Sequence, residues 1–213
     1  MAKAADSVTL TFYTSEVVQT PTSTIAQGTA TVSGSQTSWT STIEMDASDP
    51  DGAVAFTVDF SDLAGNAGTQ VTSVTSGGNV TFDNTAPTIS SATIASNNAV
   101  NTLAKVGDVV TVTITSAEDL YSLASLTINS QSVDVAQVTK TSATEWSFTY
   151  TMTSSDTEGD LDFGFTANDL TGNSSALTYS SSLTFDRTAP TLSAVSISSN
   201  NAVNTLAKAV SYT

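Results

Sequence analysis

The chain has 213 residues, 39% of them hydrophobic, and sets 5 basic against 20 acidic residues for a net charge of −15. That is enough apolar material for two ordinary cores. It contains no apolar run near the ~20 residues a membrane span needs, and no basic surface to neutralise phosphate, which argues against nucleic acid and membrane insertion. With no cysteine and no histidine, disulfides, ordinary zinc sites and Ser-His or Cys-His nucleophiles are excluded.

In chain order, Val8-Thr-Leu-Thr-Phe-Tyr13 alternates apolar and polar residues with the period of a half-buried strand. Trp39-Thr-Ser-Thr-Ile-Glu-Met45 reads the same way, and Phe56, Val58 and Phe60 line one face of the strand that follows. Asp49-Pro-Asp-Gly52, Asp62-Leu-Ala-Gly-Asn66 and Ser76-Gly-Gly78 are turn signals between them. Further on, Val109-Val-Thr-Val-Thr-Ile114 and Trp146-Ser-Phe-Thr-Tyr-Thr-Met152 repeat the alternation. Phe163 and Phe165 take the places of Phe56 and Val58, and Asp169-Leu-Thr-Gly-Asn173 repeats the turn. Residues 117–126 are the only stretch that predicts a short helical turn. About a third of the chain is serine or threonine, which suits exposed sheet faces. Many short strands at this spacing predict an all-β chain of antiparallel sandwiches with about seven strands each, and Trp39 and Trp146 belong in their cores.

Phe82-Asp-Asn-Thr-Ala-Pro-Thr88 returns as Phe185-Asp-Arg-Thr-Ala-Pro-Thr191, and Asn97-Asn-Ala-Val-Asn-Thr-Leu-Ala-Lys105 returns unchanged, ending at Lys208. Both repeats are offset by 103 residues, so the chain is an array of one unit of about a hundred residues. The boundaries fall at 1–83, a repeat without its opening strand; 84–186, a complete repeat; and 187–213, a spare opening strand of a third. This phase is expected of a fragment of a long array, or of a subunit that lends its tail to a neighbour.

The Asp-x-Thr-Ala-Pro linkers at residues 83–87 and 186–190, the Asp-Leu-x-Gly-Asn turns at 62–66 and 169–173, and the Leu-Ala-Lys-x-Gly-Asp lead into a Val-Thr-Val-Thr strand at 103–114 together resemble the bacterial immunoglobulin-like repeats of giant surface adhesins and other long secreted proteins. The resemblance implies tandem Ig-like antiparallel β-sandwiches on the cell surface or outside the cell. It also implies a non-enzymatic spacer role, often with calcium stiffening the joints.

The residues can supply such a joint. In that topology Glu118 and the turn from Asp169 to Asn173 lie at the pole where the linker residue Asp83 arrives, and Asp49 and Asp51 approach from the preceding repeat. Calcium takes six to eight oxygen ligands, and this set provides several carboxylates. Asp-x-x-Gly-Asn also makes a tight turn unaided, and Asp before Thr-Ala-Pro can simply cap one. The second expectation is polymeric. A tail donated by one chain would complete the first repeat of the next, bringing Asp186 to Glu16, Asp62 and Asn66 and recreating the joint between subunits. The partners are then either the chain itself, head to tail, or neighbouring Ig-like repeats of a longer chain.

The alternative from another class is a carbohydrate- or ice-binding module, for which Thr111, Thr113 and Thr115 offer one threonine ladder. One such strand per repeat does not build a flat array. Asp160 and Asp162 are carboxylates of the kind glycosidases use, but they recur at a structural turn and strand. Lys3, Lys105 and Lys208 share one repeat position, and their loop-like neighbours read as exposed lysines rather than buried crosslinking ones.

Overall fold

The computed structural model describes residues 1–203. These residues are all-β apart from one 3-10 turn at Val135–Gln137. The first strands are β1 (Ser7–Tyr13), β2 (Thr22–Ile25), β3 (Gly28–Thr29), β4 (Thr31–Ser35), β5 (Ser38–Glu44), β6 (Gly52–Ala53), β7 (Phe56–Asp59) and β8 (Thr81–Phe82). They are followed by β9 (Ile89–Ser96), β10 (Leu103–Ala104), β11 (Val109–Ser116), β12 (Leu120–Ile128), β13 (Gln131–Ser132), β14 (Val138–Lys140), β15 (Glu145–Thr151), β16 (Gly159–Asp169) and β17 (Ser174–Phe185). Among the described residues no sheet mixes strands from β1–β8 with strands from β9–β17. Among the described residues no helix is long and apolar enough to cross a membrane.

The later strands form a four-stranded sheet, β14-β15-β11-β9, and a five-stranded sheet, β10-β17-β16-β12-β13. Alternation explains the core between them: Val110, Val112 and Ile114 of β11 are fully buried while the threonines between them face out. They pack with Trp146 and Phe148 of β15 and with Leu161, Phe163 and Phe165 of β16 in one cluster. Phe148 meets Phe165 edge to face, with ring centroids 6.4 Å apart. Ile89, Ala92 and Ile94 of β9 pack against the same core from its edge.

Two sequence expectations are corrected. Residues 117–126 do not form a helical turn: Leu120–Ile128 is a strand. Leu120, Leu123 and Leu126 are spaced like one face of a helix, yet all three are buried, because register shifts after Leu120 and Ala124 re-phase the strand. The sandwich is also not wholly antiparallel, since Leu103–Ala104 pairs parallel with Thr184–Phe185.

The earlier strands form the smaller sheets β1-β5-β4, β3-β2-β7 and β6-β8. The β1–β5 register sets Phe12 opposite Trp39, as β11–β15 sets Ile114 opposite Trp146. The core here is thinner. Ser41 stands at the repeat position of Phe148 and Ser23 at that of Leu126, and both hydroxyls are buried without a hydrogen-bond partner. Both indoles sit in their cores as expected, Trp39 and Trp146 donating from Nε1 to the carbonyls of Gln36 and Ala143.

Candidate metal centre

The Asp62 and Asp169 turns fold by themselves. In the second, Asp169 Oδ1 accepts from the backbone N–H groups of Thr171, Gly172 and Asn173 at 2.7–2.9 Å and from the Thr171 hydroxyl at 2.8 Å. Gly172 sits at φ 86°, a conformation that glycine takes without strain. Burial pushes the Asp169 carboxyl up, but the bonds from Thr171 and Asn173 outweigh it and hold it below the usual carboxylate range. Asp62 repeats the arrangement, accepting from the Ala64 and Asn66 amides and from Asn66 Nδ2. Asn66 above all holds its carboxyl low.

What distinguishes the second turn is its company. Asp83, Glu118 and Asp169 each bring a carboxylate oxygen within 4.8 Å of the other two. Three elements position them: the linker after β8, the bend after β11, and the end of β16. The Asp83 carbonyl accepts from Asn173 Nδ2 at 3.0 Å, and its side chain accepts from the Thr171 hydroxyl at 3.3 Å. Glu118 accepts from the Thr88 amide at 3.4 Å. Asp169 Oδ1 is committed to the turn, and Oδ2 accepts from Asn173 Nδ2 at 2.9 Å.

The linker is gripped from the other side as well. Asp51 accepts from the Asn84 amide at 2.8 Å and from the Thr85 hydroxyl, and these two bonds, the hydroxyl's first, lower its pKa. Asp83 caps its own turn by accepting from the Thr85 amide. Lys3 Nζ donates to the Gly172 carbonyl at 2.9 Å, joining the start of the chain to the turn before β17.

The remaining expected ligands lie elsewhere. Asp49 accepts from the Asp46 amide and closes its own loop, as Asp156 does for Thr153, so it does not reach the cluster through that bond. Asp186 caps the second linker by accepting from the Thr188 amide. Glu16, Asp62, Asn66 and Asp186 are expected to meet between copies of the chain rather than within one.

The sequence reading overlooked Glu158, which accepts from the Arg187 amide and the Thr188 hydroxyl and so grips the second linker as Asp51 grips the first. The signal was available: each carboxylate immediately precedes a glycine that opens the next strand, Gly52 or Gly159. Lys3 and Thr171 were also overlooked as joint residues. Lys105 is exposed as expected, its side chain 67% accessible and paired with Asp108 at 2.6 Å. Lys208 lies outside the described residues.

Two layers of mostly antiparallel strands around one core, with a carboxylate-rich linker at one pole, define the class of β-sandwich domains. Residues 144–212 match the bacterial Ig-like domain (group 3), in line with the resemblance read from the repeats. No curated protein matches the chain. Among solved structures it is similar to the Bacteroides ovatus mixed-linkage glucan utilization locus SGBP-B in complex with a mixed-linkage heptasaccharide, at 20% identity and a TM-score of 0.26. That likeness covers 87% of this chain and 43% of the other, so the chain spans less than half of that protein.

Proposed function

We propose that the chain is a non-enzymatic, extracellular structural protein: Ig-like repeats at 1–83 and 84–186, with the opening strand of a third at 187–213, forming a surface fibre or adhesin stalk. Calcium stiffens the joint between the repeats, and chains join head to tail through the C-terminal segment. The observation that carries this reading is the convergence of Asp83, Glu118 and Asp169 on the linker. Three like charges in such close quarters repel, and a divalent cation relieves that repulsion while tying together the three elements they come from.

The donor set fits a hard cation. Besides the three carboxylates it includes the Asp83 carbonyl and the Thr171 hydroxyl, and half a turn of the Asn173 amide would direct Oδ1 to the same point. When bound, calcium would supply charge neutralisation and a cross-brace rather than chemistry. The carbohydrate- or ice-binding alternative gains no support from the glucan-complex structure, a likeness too weak to carry it.

The test is thermal unfolding with and without calcium. Binding to the native state alone stabilises by about 2.7 kcal/mol at a hundredfold excess over Kd, so the melting temperature should rise with calcium and fall with chelator. Asp83→Ala should remove most of that response and Asp49→Ala should retain it. Unfolding indifferent to calcium would overturn the joint.

A further inference from the structure

In the later strands, the outer edge of β11 is covered by β9, whose Ile89, Ala92 and Ile94 close the core. The equivalent edge of β1 is bare: β1 ends its sheet, with β5 on its other side, and no described residue pairs with it. A groove of about 460 Å³ runs beside that edge, lined by Leu10, Phe12, Phe56, Val58, Phe60 and Val71 among others. An unpaired strand edge beside an apolar groove is a template for strand addition.

The same chain leaves exposed a segment with the sequence pattern of β9. Leu192, Val195 and Ile197 hold the repeat positions of Ile89, Ala92 and Ile94, yet they are 86%, 79% and 100% accessible and belong to no strand. Burying large aliphatic side chains is worth about 1.5–3 kcal/mol each, so this segment has much to gain from a groove. Charge does not oppose the contact: neither residues 188–203 nor β1 carries a charge, in a chain of net −15.

We infer that residues 189–199 of one copy dock antiparallel on the free edge of β1 in a second copy, in the place that β9 takes on β11. β9 sets Ile94 opposite Val112, Thr93 opposite Thr113 and Ala92 opposite Ile114. The repeat therefore sets Ile197 opposite Leu10, Ser196 opposite Thr11 and Val195 opposite Phe12. The apolar residues face the groove and the hydroxyls face solvent, matching the alternation of β1. The contact uses different surfaces on the two copies, so it propagates into a fibre unless it closes into a ring. This rests on the fibre reading above and supplies its interchain contact.

Thr11 and Ser196 are exposed and the chain has no cysteine, so Thr11→Cys with Ser196→Cys in the full chain reports the register directly. Mild oxidation should give a ladder of disulfide-linked multimers. The ladder should be lost when Ser193→Cys replaces Ser196→Cys, and lost again when Ile197→Asp is added. A crosslinked monomer, or equal ladders from both cysteine pairs, overturns docking between copies. A ladder in samples whose melting ignores calcium upholds the groove contact and removes the calcium joint. Multimers that persist unchanged in Ile197→Asp leave a fibre standing but overturn this contact.

Discussion

Asp108 illustrates how single carboxylates shape the loops of this chain. It is buried, and it accepts from Lys105 Nζ, the Lys105 amide and Asn98 Nδ2. The Lys105 side chain first, and then Asn98, lower its pKa from 3.8 to about 2. A depressed folded pKa means the native state holds its proton less tightly than the unfolded chain. The stabilisation is therefore present above about pH 4 and is lost as pH falls towards the folded value of about 2. Urea midpoints measured across that window should fall more steeply for the native chain than for Asp108→Asn. Parallel slopes for the two would show that the Lys105–Asp108–Asn98 group does not govern acid stability.

At the scale of elements, alternation made most strands legible before any coordinates, because period two survives wherever one face is buried. It failed at β12, where the bulges put three leucines at helical spacing onto one sheet face. The candidate ligands were legible for a different reason. The repeat assigns Asp83, Glu118 and Asp169 to loops, and the topology of a sandwich sends those loops to one pole. Lys3 was not legible, since it acts through one hydrogen bond to backbone distant in sequence, which no periodicity records; Glu158 was marked only by the glycine that follows it, as Asp51 is. The central aromatic pair tests whether the two later sheets share one core. Phe148 of β15 is fully buried against Phe165 of β16. Phe148→Ala should cost about 3–5 kcal/mol, as large-to-small changes in well-packed cores do. The loss should appear as a lower urea midpoint with an unchanged slope.

Across the whole molecule the two sets of strands are unequal. The later cluster brings together eighteen buried residues and the earlier one six, so the later set holds most of the apolar burial that stabilises a fold. The earlier set also carries the unpaired Ser23 and Ser41 hydroxyls and the bare edge of β1. Its closing segment is poorly anchored: residues 70–79 are almost wholly exposed, tied back by the Val58–Val71 bridge, whereas β17 pairs along its length with β16. Calorimetry of the chain at low concentration should therefore resolve two transitions, the earlier set melting first. Phe148→Ala should lower only the upper one. The lower one should rise with protein concentration, because a strand donated by another copy stabilises only the set that receives it, by mass action, and Ile197→Asp should remove that dependence. A single transition that Phe148→Ala shifts as a whole would mean that the linker contacts at Asp83 and Lys3 couple the two sets into one cooperative body.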